Sequence, residues 1–598
     1  MKRKENYKLT DNIIFSIKML ADKDKSVILF IIISSIVGML LPFFSIYFPK
    51  YVIEKISSGS NHEEIVVGIG IFSVALGAMY FIDKFLTTKI YWHLIVIQAE
   101  HVWDIYMKSI TCSYQKISNS NGQSLYQRAM DSVCRGDLGC IRIMIPAILN
   151  IVIGLLGMAI YGILLCQLSI WLLLFTASLS IPSILISFHV NSYEKNNKKH
   201  WVEIDKKINY FVNKSIEPSF GKDIRMFSME SWISSIINNL LALRKNWYNK
   251  VETRKSLALY CNSLIIFIRD SITYIFLIWS ALNGYVDVGD FILYFGIVAT
   301  FSQWTNMIVE QISKIGLASN LVTDYRSFME QLNDNDKQVN NKNYKTLSTI
   351  KNIEFQDVCF SYDGKTNIIN HLNLKIGENE NIGIVGINGA GKTTLVKLLC
   401  GLYEPTRGEI LINGYPNYIY KPKELLMQFS AVFQDSSLFP FTFAENISMK
   451  SAKKSNLQRV NEAIHNANLI DKVQLMYNGI NSEMLKIIDD KGIYLSGGEM
   501  QKLFLSRALY RNGSVFLLDE PTSALDPLAE KEQYLKYSSI CNNKIAVYIS
   551  HRISSVTFCD KIAYMENGEI VEYGSHIELM KKNGKYAKMF HTQSSYYV

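Results

Sequence analysis

The residues Gly386-Ile387-Asn388-Gly389-Ala390-Gly391-Lys392-Thr393-Thr394 have the types and spacing that hold a nucleotide phosphate. They follow the apolar run Ile382-Gly383-Ile384-Val385 and precede Leu395-Val396-Lys397-Leu398-Leu399, so the stretch reads strand, loop, helix. That setting separates the pattern from a chance match. The glycines let backbone N–H groups turn inward, and the following helix directs its positive end at the same point. Gly386, Asn388, Gly389, Gly391 and Thr394 belong to this cradle. Lys392 would reach the β- and γ-phosphates, and the Thr393 hydroxyl would face Mg²⁺.

A second element supplies acids. Val515-Phe516-Leu517-Leu518 is an apolar strand-like run ending in Asp519 and Glu520. A buried strand of an open α/β sheet presents such a pair at its C-terminal edge, where ligands bind. Asp519 suits Mg²⁺ held through water, and Glu520 suits polarising the water that attacks the γ-phosphate. Further on, Leu495-Ser496-Gly497-Gly498-Glu499 leads into a helix near Met500. Ser496, Gly497 and Gly498 at a helix N-terminus make a second anion site. One nucleotide then faces two phosphate-binding helix ends, unless two such domains meet.

The elements that must carry these motifs are of two kinds. A chain of 598 residues exceeds one core, and its 19% charged content is low for a wholly soluble protein of this size. Apolar runs cover residues 27–48, 65–82, 142–165, 169–190, 257–282 and 291–309, each near the length that crosses a bilayer. Pro42 is expected to kink the first rather than end it. Residues 1–26 are basic, with Ile13, Ile14, Ile17 and Leu20 at helical spacing, as in a helix lying on the membrane surface. Two long polar segments, residues 83–132 and 191–255, read as helical extensions into water. Within the spans stand Ser34, Ser35, Arg269, Asp270, Gln303, Trp304 and Asn306. They fit substrate contact and interhelical bonding equally, and Arg269 and Asp270, adjacent on a helix, are not expected to pair with each other.

The net charge of +9 would suit nucleic acid, but Lys and Arg concentrate in the N-terminus and the two long loops. By the positive-inside rule those segments, and everything after residue 309, face the cytoplasm. The nine cysteines show no C-x-x-C pair or metal-ligand spacing and read as reduced packing residues. No cleavable signal pattern precedes the first span. Residues 333–345 read as a linker, and from Ile350 short strands alternate with helices as in a parallel α/β domain. Ile412-Asn413-Gly414 and Glu566-Asn567-Gly568 signal hairpins at the sheet's periphery.

With these motifs in place, the whole chain resembles an ATP-binding cassette exporter of the half-transporter kind (type IV, B-subfamily-like). The resemblance implies that Ser496, Gly497 and Gly498 of one cassette close over ATP on the phosphate loop of another. Glu499 stands where glutamine is usual in that family. Tyr362, in Phe360-Ser361-Tyr362, resembles the aromatic that stacks on adenine; a core strand tyrosine is the alternative. Gln434 resembles the glutamine that contacts Mg²⁺, and His551 the histidine at the γ-phosphate. Ser523-Ala524-Leu525-Asp526 resembles the loop exchanging contacts between cassettes. Asn119 to Arg128, with Gly122, and Gly221 to Phe227 resemble the short coupling helices at the tips of the long loops.

The expected organisation is an interfacial helix over residues 1–26, an all-α six-helix transmembrane domain over 27–315, a linker over 316–349 and a nucleotide-binding domain over 350–598. The last is an α/β cassette with antiparallel β and helical subdomains. The implied function is ATP-driven export by a dimer, a homodimer being simpler and a heterodimer open, in a bacterial plasma membrane with both termini cytoplasmic. Peptide, lipid and hydrophobic small-molecule cargoes fit alike. No peptidase stretch precedes the first span, so leader cleavage is not expected. A soluble nucleic-acid ATPase of the chromosome-maintenance type is disfavoured by the spans, and no nucleic-acid partner is expected. An importer, or a cassette pair gating a channel or sensing a ligand, keeps the same architecture.

Overall fold

The computed structural model describes residues 7–59, 61–332, 344–520, 537, 541 and 543–595. The chain divides into two compact units. One holds the residues up to Thr111 together with Gln123–Leu332, and the other holds Cys112–Gly122 and the chain after Leu332.

The first unit is helical. Its elements are α1 (Leu9–Lys23), α2 (Lys25–Ser57), α3 (His62–Thr111), α5 (Ser120–Val133), α6 (Cys140–Leu168), α7 (Ile170–Ile216), α8 (Pro218–Met226), α9 (Glu230–Leu282) and α10 (Val288–Gln331); α4 (Tyr114–Ser118) belongs to the second unit. Among the described residues six helices are long and apolar enough to cross a membrane: α2, α3, α6, α7, α9 and α10. α2 starts where Asp24 accepts the Ser26 N–H, and it runs through both Pro42 and Pro49. α6 and α10 approach closely because glycines line one of them. A Cβ on Gly157 would stand 2.7 Å from Trp304 and one on Gly154 2.7 Å from Ile308.

α1 packs through Asn12, Ser16 and Leu20, while Ile14 and Ile17 stay exposed. Asn12, fully buried, finds acceptors on α10: Ser319 O at 3.0 Å, Ser319 Oγ at 2.9 Å and Thr323 Oγ1 at 2.9 Å. Two details differ from expectation. Arg269 does pair with its neighbour, Nε donating to Asp270 Oδ1 at 3.1 Å. Adjacent Cβ atoms diverge on a helix, but the long arginine stem folds back. Finally, α10 continues to Gln331, beyond residue 316 where the linker was expected to begin.

The second unit contains two sheets. The strands are β1 (Ile353–Phe360), β2 (Ile369–Ile376), β3 (Asn381–Gly386), β4 (Arg407–Ile412), β5 (Tyr415–Pro416), β6 (Phe429–Val432), β7 (Val515–Asp519), β8 (Ile545–Ile549), β9 (Lys561–Glu566) and β10 (Glu569–Gly574). The smaller sheet, in the order β2-β1-β4-β5, is antiparallel. The larger runs β10-β9-β3-β8-β7-β6 and is parallel except for β9–β10. Both expected hairpins form at sheet edges. Asn413 and Gly414 turn β4 into β5, Asn567 and Gly568 turn β9 into β10, and all four residues have positive φ as a type I′ turn requires. β7 and β8 are buried along their whole length, and β3 after Asn381, because both faces of the parallel sheet are covered.

Candidate functional site

β3 ends at Gly386 and the chain re-enters a helix at Lys392–Leu399, so the glycine-rich loop caps the C-terminal edge of the larger sheet. Gly386 pairs with Met565 of β9, where a Cβ would fall 2.1 Å from the Met565 carbonyl oxygen. Gly391, at φ 101°, begins the helix in a conformation that L-residues avoid. Lys392 is buried, and its Nζ donates to the carbonyls of Gly386 at 2.8 Å and Ile387 at 3.0 Å. Burial pulls its pKa down, against the opposing charges of Glu520 and Asp519. Thr393, Asn388 and Gly389 are exposed at the loop mouth.

The parallel register brings the remaining groups to the same edge. Asp519 ends β7, beside Ile549 of β8, and His551 lies two residues beyond Ile549. The third N–H of Lys392 points toward His551 Nδ1 at 3.4 Å. His551 Nε2 meets Glu520 Oε1, and Gln434 Nε2 donates to Glu520 Oε2 at 2.9 Å. Burial, then the charge of Lys392, holds the His551 pKa below its ordinary value despite Glu520. The contacts match the neutral tautomer with the proton on Nε2 and an acceptor at Nδ1. Glu520 itself sits at φ 49°, a strained backbone for a non-glycine residue at a ligand site.

Asp519 is 2% exposed, and its Oδ2 has no hydrogen-bond partner among the described residues. Burial first, then Glu520 and Asp435, push its pKa up to about 6. A buried carboxylate oxygen without a donor, next in sequence to the Glu520 that Gln434 holds, fits a hydrated dication of oxygen-only preference.

Tyr362 lies at the rim of the loop, half-exposed, its hydroxyl 3.0 Å from Thr394 Oγ1. Its ring meets Phe360 and Tyr403 edge-on, at centroid separations of 4.9 and 5.4 Å. One exposed aromatic face thus remains beside the phosphate cradle, as base stacking requires.

Ser496 caps the helix Gly497–Arg511. Its Oγ accepts the Glu499 N–H at 3.3 Å and its own N–H donates to Glu499 Oε2 at 2.8 Å. Lys472 adds an ion pair to Glu499 at 3.0 Å. Against the upward push of burial, these contacts hold the Glu499 pKa below its usual value. Glutamate thus performs the cap that glutamine would. Ser496, Gly497 and Gly498 make no hydrogen bond to the phosphate-loop group among the described residues. Ser523-Ala524-Leu525-Asp526 lies outside the described residues.

At the tip of the first long loop, Cys112–Gly122 groups with the second unit, with α4 against Tyr403 and Glu404, and it includes Asn119 to Gly122 of the expected stretch. Asn119 and Gly122 shape the turn that follows: the Asn119 side chain accepts the Gly122 N–H at 2.7 Å, and a Cβ on Gly122 would meet the Lys116 carbonyl at 1.9 Å. Tyr403 and α4 carried no recognisable motif in sequence.

Residues 369–523 match the family model described as ABC transporter. Over 408 residues the chain is 30% identical to "Putative export ATP-binding/permease protein RP696" of Rickettsia prowazekii (strain Madrid E), covering 62% of this chain and 69% of that protein. The chain belongs to the ABC exporters. This ABC exporter is also 27% identical over 587 residues to "Subtilin transport ATP-binding protein SpaT" of Bacillus subtilis, covering 96% of this chain and 92% of that one. The match to the "ATP-dependent lipid A-core flippase" of Methylobacillus flagellatus is 38% identical over 242 residues, only 40% of this chain and 41% of that one. A solved structure of a bacterial Atm1-family ABC exporter with ATP bound has the same fold, with a TM-score of 0.79 at 20% identity over 96% of this chain and 98% of that one. The ABC exporter is therefore an integral membrane ATPase whose cassette binds ATP and drives export.

Proposed function

We propose that two copies of this chain form a homodimeric exporter with two shared ATP sites, each built from the phosphate loop of one copy and Ser496-Gly497-Gly498 of the other. The observation that carries the reading is the bonded series Lys392, His551, Glu520 and Gln434 beside the unpartnered oxygen of Asp519. In it Lys392 binds the β- and γ-phosphates, and Tyr362 stacks on adenine. Glu520 orients the attacking water and takes its proton, while Gln434 and His551 hold that carboxylate in place and His551 faces the γ-phosphate. Thr393, Gln434 and Asp519 would hold Mg²⁺, which neutralises charge on the phosphates when bound.

A second copy is favoured because Ser496 still has its hydroxyl proton to donate: its oxygen only accepts within the cap. The tip of the second long loop also leaves Met226 and Phe227 exposed, an apolar end suited to docking on another chain. We place the chain in a bacterial plasma membrane with both termini cytoplasmic, as the distribution of Lys and Arg supports. For cargo we propose a subtilin-like molecule, because the match to the subtilin transporter covers 96% of this chain and so takes in the whole membrane half.

The purified chain, expressed alone, should behave as a dimer with ATPase activity that Glu520→Gln reduces at least a hundredfold while ATP still binds. A monomer inactive until another half-transporter is added would overturn the homodimer. Wild-type turnover in Glu520→Gln would overturn the assignment of the carboxylate.

A further inference from the structure

Tyr403 stands between the loop tip and the base-stacking ring, within one unit of the chain. It is buried, and three aromatic rings meet it edge-on: Tyr114 of α4 at 5.7 Å, Phe360 at 5.3 Å and Tyr362 at 5.4 Å. Its hydroxyl lies 3.0 Å from Ser118 Oγ, at the other end of α4. The next residue is fastened to the same helix, the Glu404 N–H donating to Gln115 Oε1 at 3.1 Å. On the nucleotide side, the Tyr403 N–H donates to the Lys397 carbonyl in the helix that begins at Lys392, and Tyr362 is tied to Thr394 of that helix. α4 follows α3, one of the helices long and apolar enough to cross a membrane, after only two residues of chain.

We infer that Tyr403 is a positioning residue that links α4 to the adenine-stacking ring of Tyr362, so that base binding and the position of the loop tip bias each other within a single chain. The inference rests on the reading of Tyr362 as the stacking ring. The physical basis is close packing. Edge-on rings at these separations have few alternative arrangements, so turning Tyr403 with α4 also turns the face that Tyr362 offers to the base. The hydroxyl bond to Ser118 and the main-chain bond to Gln115 make α4 and Tyr403 move together. By linkage, a base that fixes Tyr362 must in turn fix α4.

The test is a mutant cycle on the full-length protein in lipid nanodiscs, reading KM for ATP and kcat separately. Tyr114 touches no nucleotide-binding group, yet Tyr114→Ala should raise KM about two- to tenfold with kcat nearly unchanged, the range one aromatic pair supports. Tyr362→Ala should raise KM as well. The double variant should be no worse than Tyr362→Ala alone, because both act along one path. Tyr403→Phe, which keeps the rings, should retain most of the effect of the native residue, and Tyr403→Leu should mimic Tyr114→Ala. If Tyr403→Leu does not fold, the Tyr114 and Tyr362 cycle still decides. Additive effects of Tyr114→Ala and Tyr362→Ala, or an unchanged KM in Tyr114→Ala, overturn the link and leave the stacking ring standing. An unchanged KM in Tyr362→Ala overturns both.

Discussion

Asp519→Asn should make the ligand-free protein more stable while weakening its response to Mg²⁺. The carboxyl is 2% exposed, one of its oxygens has no donor among the described residues, and its pKa is pushed from 3.8 to about 6. That rise corresponds to about 3 kcal/mol at ~1.4 kcal/mol per tenfold. The sign is fixed by the direction of the shift. The folded state binds the Asp519 proton more tightly than the unfolded state, so ionising the group weakens the fold as pH rises from about 4 to about 6, and the penalty is constant above that. Asparagine mimics the protonated acid and avoids the penalty, less whatever its own N–H groups lose by burial. Thermal scans of wild type and variant without nucleotide should therefore coincide near pH 4 and diverge above pH 6. The cassette transition of the variant should lie several degrees higher there, since each kcal/mol moves a domain of this size by roughly 2–4 °C. Adding Mg²⁺ and ATP should raise the wild-type transition more than that of the variant. An Asp519→Asn protein less stable than wild type at pH 8 without ligand would show that the buried carboxylate is already satisfied, and the reasoning would fall.

Gly386→Ala puts a Cβ 2.1 Å from the Met565 carbonyl oxygen, so β3 and β9 must separate at the phosphate loop. ATP binding measured by calorimetry should fall more than tenfold, and unchanged affinity would show that the loop can move freely. Asn12→Ala deletes a fully buried amide that bonds Ser319 and Thr323 and accepts from Arg326 at 3.1 Å. It should cost about 1–3 kcal/mol, seen as a lower unfolding midpoint in detergent with little change in ATPase per folded molecule. Glu499→Gln keeps a side chain that can cap Ser496 and loses only the half-exposed pair with Lys472, so stability should change by less than about 1 kcal/mol. Ser496→Ala should cost about 1 kcal/mol and most of the ATPase activity, and a milder effect than that of Glu499→Gln in both assays would exclude the cap.

Local pattern made much of this protein legible before any fold was known. The strand, loop and helix around Lys392 follow from an apolar run, three glycines and a helix-forming stretch, each a short-range preference of the backbone. The six long apolar helices follow from bilayer thickness, and the Asn413-Gly414 and Asn567-Gly568 turns from the cost of positive φ for other residues. Such signals lie within a few residues of one another, so sequence alone carries them.

Contacts between distant elements were decided only by tertiary structure. Lys392 and His551 are 159 residues apart and become neighbours because β3 and β8 pair in parallel, a register no local pattern encodes. The burial of Asn12 in α1 depends on acceptors that α10 supplies from 307 residues away in the chain. Arg269 folds onto Asp270 through the reach of its own stem, which helical geometry by itself does not specify. Tyr403, without motif or charge, carried no chemical signal. Its place against α4 and Tyr362 exists only because the fold of the second unit buries the Tyr403 ring against the edges of Tyr114, Phe360 and Tyr362.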